Sequence, residues 1–236
     1  MAHFRKKSDH DGAFSVESFS AFGDYIRNCP ERLSFVEVGA KRLDVVKGLV
    51  RESGADIEVV ASPKPEFFCA KIILSLASEP SSYSKLGRLV VCLDHIEDPR
   101  NFGAIVRSAA YFGVSDIILP KNRQVKLTQT VVDTSQAGFS VVKCIAVTNL
   151  ARSIKSMKEE GYWVVGMDMD GQAIGEFPSN LGRAVLALGS ESKGLSKPVR
   201  KTCDFSLRVG PRSSGIDSLN VSVAAGLGLD ALLKII

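Results

Sequence analysis

Three short stretches of the chain carry polar and glycine residues at spacings that suit chemistry. In the first, Asn101, Gly103 and Arg107 follow an Asp98-Pro99 pair that starts a turn. Asn101 reads as the N-cap of a helix that carries Arg107, and Gly103 lets a partner approach closely. In the second, an apolar run enters Gly189, Glu191 and Gly194. A glycine turn at the carboxyl end of a parallel strand is where α/β proteins hold ligands. Its spacing fits neither the phosphate-loop nor the dinucleotide glycine pattern, which leaves a nucleotide-dependent oxidoreductase without support. In the third, Gly210-Pro211 ends a run, and a Ser/Gly-rich loop leads to Ser218, Leu219 and Asn220. Ser218 can cap the helix that follows, whose small residues Ser222, Ala224, Ala225, Gly226 and Gly228 permit close packing. Taken singly, these are a capped helix with a surface arginine, a strand-to-helix turn, and a tightly packed helix. The third opens with three polar groups that a plain core helix would not need.

Other chemistries have less to stand on. No nucleophile elbow of the G-x-S-x-G kind is present, which disfavours a hydrolase. None of the three histidines, His3, His10 and His95, lies in a triad context. His95, beside Asp94 and just after an apolar run, fits a satisfied turn residue. The five cysteines are scattered with no C-x-x-C pair, which suits reduced cytosolic thiols and neither a disulfide frame nor a metal site. Cys92 and Cys144 sit in apolar runs and read as core.

The elements that must position these residues follow from the apolar pattern. Strand-like runs fall at 89–93, 116–119, 141–147, 162–167, 184–188 and 205–209, with helical stretches at 102–112, 149–160 and 219–233. Strands apolar throughout and alternating with helices predict a parallel sheet covered on both faces. Upstream, 13–28 carries spaced aromatics and reads as one or two helices. Strands are predicted at 34–38 and 57–61, and a helix at 41–51. Residues 67–77 are apolar and fit either strand or helix. Residues 78–87 are rich in Ser, Pro and Gly and read as a linker, which divides the chain into 1–85 and 86–236.

Composition sets the outer limits. The chain has 236 residues, 45% of them apolar and 24% charged, the profile of an ordinary globular protein. No apolar run approaches the roughly 18 residues of a bilayer span, and the charged start lacks the apolar core of a signal peptide. The expected location is therefore cytoplasmic. The net charge of +4 comes entirely from residues 86–236, since 1–85 holds equal numbers of acidic and basic residues. Cationic clusters stand at Lys121, Arg123 and Lys126 and at Lys193, Lys197, Arg200 and Lys201. Such clusters suit either phosphate backbones or a solvated face.

Together the three stretches resemble the SpoU-type RNA 2′-O-ribose methyltransferases of the SPOUT superfamily. Asn101, Gly103 and Arg107 match that family's first motif, and Gly189, Glu191 and Gly194 its second. Pro211 with 218–224 matches its third. Two departures occur in the last: Gly210 replaces a usual aliphatic residue, and Ser214, followed by Gly215, replaces a usual glycine. The resemblance implies a parallel sheet ending in a deep trefoil knot, with 1–85 as a small L30e-like substrate-binding unit. It also implies S-adenosylmethionine as cofactor, structured rRNA or tRNA as substrate, a homodimer, and no metal. Catalytic positions carried over are Arg107, Asn101, Glu191, Ser218 and Asn220. The cofactor would meet Leu188, Gly189, Gly194, Gly210, Pro211 and Leu219. RNA would meet Arg107, Lys121, Arg123, Lys126, Lys193 and Lys197. Arg107 is placed at the ribose hydroxyl, where a permanent cation suits charge stabilisation and phosphate clamping better than proton removal. Glu191 and Asn101 are expected to orient it. The same resemblance also admits a catalytically idle RNA-binding relative, which the intact Arg107, Glu191 and Asn220 disfavour.

Overall fold

The computed structural model describes residues 12–122, 125–210 and 218–236. Arg123, Pro211, Ser214 and Gly215 lie outside the described residues. The N-terminal part forms a four-stranded mixed sheet, ordered β1-β4-β2-β3. Its strands are β1 (Ala13–Val16), β2 (Leu33–Gly39), β3 (Glu58–Ser62) and β4 (Phe68–Ile73). Helices α1 (Phe19–Asn28) and α2 (Leu43–Ser53) accompany it. The helix expected at 13–28 is thus a strand followed by a helix. Residues 13–16 pair antiparallel with β4, Ala13 opposite Ile73, and α1 starts only after its Ser18 cap.

The remaining strands make one seven-stranded sheet, with every adjacent pair parallel. They are β5 (Ala77–Ser78), β6 (Leu89–Asp94), β7 (Asp116–Pro120), β8 (Lys143–Val147), β9 (Trp163–Gln172), β10 (Ala184–Gly189) and β11 (Phe205–Leu207). The order is β11-β9-β10-β6-β7-β8-β5, so β10 enters between β9 and β6. Side chains alternate between two apolar clusters. Leu89, Val91 and Leu93 of β6 face the cluster holding α3 (Pro99–Tyr111) and α7 (Val221–Leu233). Val90 and Cys92 face the cluster holding α5 (Leu150–Glu159) and α6 (Lys197–Arg200). Cover on both faces is why the middle of β6, and likewise of β7 and β10, is apolar at every position.

The short helix α4 (Gln129–Ser135), capped by Thr128, was not foreseen. Its β-branched residues Thr130, Val131, Val132 and Thr134 argue against a helix locally, and packing on α3 overrides them. Gly103 explains the packing, because a Cβ there would stand 2.7 Å from Cβ of Thr134. The close partner expected at Gly103 is therefore α4.

The two sheets share one core: Phe22, Tyr25 and Val36 belong to the same cluster as Phe102, Ile105 and Leu229. The Gln129 amide donates to the Ser15 carbonyl at 2.7 Å and accepts from the Ser15 N–H at 3.0 Å. Asn28 bonds Ser140, and Arg32 bonds the Phe139 carbonyl. The stretch read as a linker is fastened at both ends. Ala77–Ser78 adds a strand to the large sheet, and the buried Tyr83 bonds Glu79, which also accepts from Ser153 at 2.6 Å. Arg183 lies over the Tyr162 ring and donates to the Leu86 carbonyl.

Candidate functional site

The three motif stretches meet at the carboxyl edge of the large sheet. At the start of α3 the cap is Asp98, which accepts from the Arg100 N–H at 2.7 Å, with Pro99 in the first turn. This corrects the expectation for Asn101, which lies inside the helix and is released from capping. Its side chain is buried and bonded on both sides. Nδ2 donates to Glu191 Oε1, and Oδ1 accepts from Asn220 Nδ2 at 3.0 Å. The orientation follows from chemistry, because a carboxylate only accepts and must face the amide nitrogen. Asn220 in turn caps α7, accepting from the Ser222 N–H at 2.9 Å and from its hydroxyl at 2.6 Å. The cap of α7 is therefore Asn220 rather than Ser218. One line of side chains, Glu191–Asn101–Asn220–Ser222, thus ties the three stretches together.

The loop after β10 is folded on itself. Ser190 and Gly194 form a bridge, with the Gly194 N–H 2.8 Å from the Ser190 carbonyl. A Cβ on Gly189 would fall 2.1 Å from the Gly194 carbonyl carbon, so only glycine fits. Gly194 itself has φ +61°, a left-handed conformation that favours glycine. The far end of the loop is held by Asp94, which is 2% exposed at the end of β6. Its Oδ2 accepts from the Ser196 N–H at 2.7 Å, and Oδ1 lies 2.7 Å from His95 Nδ1. In the sequence Asp94 stands only as the neighbour of His95, and its hold on the loop was not foreseen, although an acid closing an otherwise apolar strand was the available signal.

Beside this loop opens a cleft of about 800 Å³. Leu188, Gly189, Gly194, Gly210 and Leu219 line it, as do Glu191, Lys193 and Ser218. Five of the six positions expected to meet a cofactor are therefore on its wall, and Pro211 lies outside the described residues. Asn101 and Asn220 stand behind the wall and hold it. Arg200 of the second cationic cluster also lines the cleft, as do Met167, Asp168 and Arg208, which were not anticipated. Arg208 is engaged with the carbonyls of Gly171 and Gly210, at 3.2 and 3.1 Å.

Arg107 stands apart. It is exposed on α3 and makes no hydrogen bond or ion pair with the described residues, Asn101 and Glu191 included. Six residues along a helix place the two side chains about 120° apart, on different stripes. Lys121, Lys126, Lys193 and Lys197 are exposed, while Arg123 lies outside the described residues. The cysteines are quiet: burial pushes the Cys144 thiol up to about 12 and those of Cys29 and Cys203 to about 11. Burial raises Cys92 further still. As thiols they are poor nucleophiles.

The SpoU rRNA Methylase family model matches residues 88–230, which takes in all three motif stretches and the cleft. The chain belongs to the SpoU rRNA methylase family. An uncharacterized tRNA/rRNA methyltransferase of Mycobacterium sp. strain KMS is 35% identical over 202 residues, covering 86% of this chain and 62% of that protein. One of the same name from Borreliella burgdorferi is 40% identical over 143 residues, covering 61% of this chain and 62% of that one. The chain thus spans somewhat over half the length of such curated relatives. Among solved structures, the SpoU methyltransferase AviRb of Streptomyces viridochromogenes, crystallised with AdoMet, superposes with a TM-score of 0.76. That likeness covers 94% of this chain and 90% of the other at 20% identity, and so speaks for the SpoU fold.

Proposed function

We propose that this SpoU-family chain transfers a methyl group from S-adenosylmethionine to a ribose 2′-hydroxyl of structured rRNA or tRNA. The observation that carries the proposal is the cleft, whose walls come from the second and third motif stretches while the first braces them from behind. The cleft suits the cofactor in chemistry as well as size. Apolar side chains such as Met167, Val209 and Leu219 offer faces for a purine, and the looped backbone offers amides and carbonyls that need no particular side chain. When bound, S-adenosylmethionine supplies an electrophilic methyl group on a sulfonium. The residues of the chain then have three tasks. Gly189 and Gly194 shape the loop that fixes the direction of approach. Glu191, Asn101 and Asn220 keep that loop and α7 in register. Arg107 offers a permanent planar cation to the developing alkoxide and its neighbouring phosphate, and the phosphate or a water takes the proton.

Among the described residues, Arg107 reaches no cleft residue of its own chain, which supports a homodimer as the working unit. Helix α7 adds to this. It is apolar nearly all round, yet Val223 and Leu233 are exposed, at 49% and 39%. An all-apolar helix belongs inside a structure. It packs on α3, the helix of Arg107, so burying it against a second copy brings Arg107 to the joint. We further infer that the C-terminal segment is knotted. In support, β10 enters between β9 and β6, the chain then passes to β11 at the sheet edge, and α7 returns to pack on β10. The four-stranded N-terminal unit acts as the substrate-binding unit, and the seven-stranded sheet, which takes in Ala77–Ser78, acts with its helices as the transferase.

The test is methylation of total rRNA and tRNA with labelled S-adenosylmethionine, followed by alkaline hydrolysis. A 2′-O-methyl group leaves one linkage resistant to alkali, and a labelled resistant dinucleotide is the expected product. Label found only on bases would overturn the ribose assignment.

A further inference from the structure

Within the cleft, one pair of opposite charges has no part in the scheme above. Asp168 follows the stretch of β9 that pairs with β10, and its Oδ2 lies 3.0 Å from Arg200 Nη1. The aspartate side chain is 16% exposed and the arginine 55%. Asp168 is further set by the Asp170 N–H, which donates to its Oδ1 at 3.1 Å. Arg200 ends α6 and lies along the glycine loop, its Nη2 3.7 Å from where a Cβ of Gly194 would stand. The pair therefore spans the cleft between β9 and the loop. Only one guanidinium nitrogen is used by Asp168, which leaves the other donors of a rigid fork available.

The charges of the cleft select among ligands. The cleft wall carries both signs, Lys193, Arg200 and Arg208 against Asp168, Asp170 and Glu191, and a phosphate of RNA placed against Arg200 would also stand beside the Asp168 carboxylate. Like charges at such range repel, so a lone anion gains little here. A group that carries both signs fits better. An α-amino acid presents a carboxylate and an ammonium on one carbon, and the Arg200–Asp168 pair offers the two complements side by side.

We propose that Arg200 and Asp168 read the amino-acid end of S-adenosylmethionine, Arg200 receiving the carboxylate and Asp168 the ammonium. This rests on the cleft being the cofactor site, and the experiment separates the two. Calorimetry on the full chain uses three probes: S-adenosylhomocysteine, its decarboxylated form S-adenosyl-3-thiopropylamine, and 5′-methylthioadenosine, which lacks both charges. The unaltered protein is expected to bind S-adenosylhomocysteine about 10- to 100-fold more tightly than the decarboxylated probe, the range for a charged hydrogen-bonded contact. Arg200→Gln should lose that same factor for S-adenosylhomocysteine and bind the other two probes as before. Asp168→Asn should weaken both amine-bearing probes and spare 5′-methylthioadenosine. Unchanged affinity of Arg200→Gln for S-adenosylhomocysteine overturns the proposal and leaves the cofactor site standing. An equal loss for all three probes also overturns it, because Arg200 would then be shaping the loop. If Arg200→Gln loses RNA and keeps all three probes, the arginine is a phosphate contact and the proposal fails. If the unaltered protein binds none of the probes, the cofactor reading and this one fall together.

Discussion

Asn101 donates to Glu191 and accepts from Asn220, so its two ends are not interchangeable. Asn101→Asp would press two carboxylates together and force one to hold its proton. Methylation by that variant is expected to fall by at least about tenfold near pH 8 and to recover partly toward pH 6, where a shared proton becomes affordable. A rate profile parallel to the unaltered protein's would remove the Asn101–Glu191 contact from the mechanism. Arg107 calls for a different test. Arg107→Lys keeps the charge and loses the planar fork, and should lower kcat about 10²-fold, comparable to losing an oxyanion donor. Affinity for S-adenosylhomocysteine should hardly move, and single-turnover assays at saturating RNA separate the two. Near-normal turnover would show that charge alone suffices. The stretches that hold these residues were legible from motif spacing. Their partners were not: a side chain six positions along a helix looks near in sequence and faces elsewhere in space. The hold of Asp94 on the loop and the Asp168–Arg200 pair stayed hidden for a related reason, since burial and pairing of a charge are settled only when distant strands meet.

The glycine loop after β10 is the most exacting element. Gly189→Ala would set a methyl group 2.1 Å from the Gly194 carbonyl carbon, and the backbone must shift to admit it. Loss of S-adenosylhomocysteine binding is expected, with thermal stability lowered by about 1–3 kcal/mol, the usual range for overpacking. Intact binding would mean that the loop does not form the wall. Strands β6, β7 and β10 were readable because burial on both faces makes their middle residues apolar throughout. Helices α3 and α5 were readable from their period and α7 from its long run of small and apolar residues, with the starts of α3 and α7 displaced by the choice of cap. Asp98 and Asn220 took the capping positions that Asn101 and Ser218 seemed to offer. Strand β1 misled because four residues beside a true helix extend its apolar spacing, and only pairing with β4 distinguishes them. Helix α4 gave no usable signal, being short, β-branched and held by its packing on α3.

At the scale of the molecule, the exposed apolar residues of α7 make the oligomer testable. Val223→Asp should shift the sedimentation of the protein from dimer to monomer at micromolar concentration and reduce turnover with it. A charge placed in an apolar interface costs several times the thermal energy. A monomer with undiminished activity would contradict both the dimer and the shared site. The parallel α/β class of residues 86–236 could be read from alternation alone. The place of β10 in the strand order could not, because nothing local records which neighbours a strand will find. Nor could the sequence reveal that residues 78–87 are bound down by Tyr83, Glu79 and Arg183 instead of hanging free. That fastening, with the core common to both sheets, makes the protein a ruler. A surface on the N-terminal sheet stands at a fixed distance and angle from the cleft. On the proposed function, an RNA gripped there would offer up whichever ribose its own fold carries to that spot, and the choice of nucleotide would pass from the letters of the RNA to its shape.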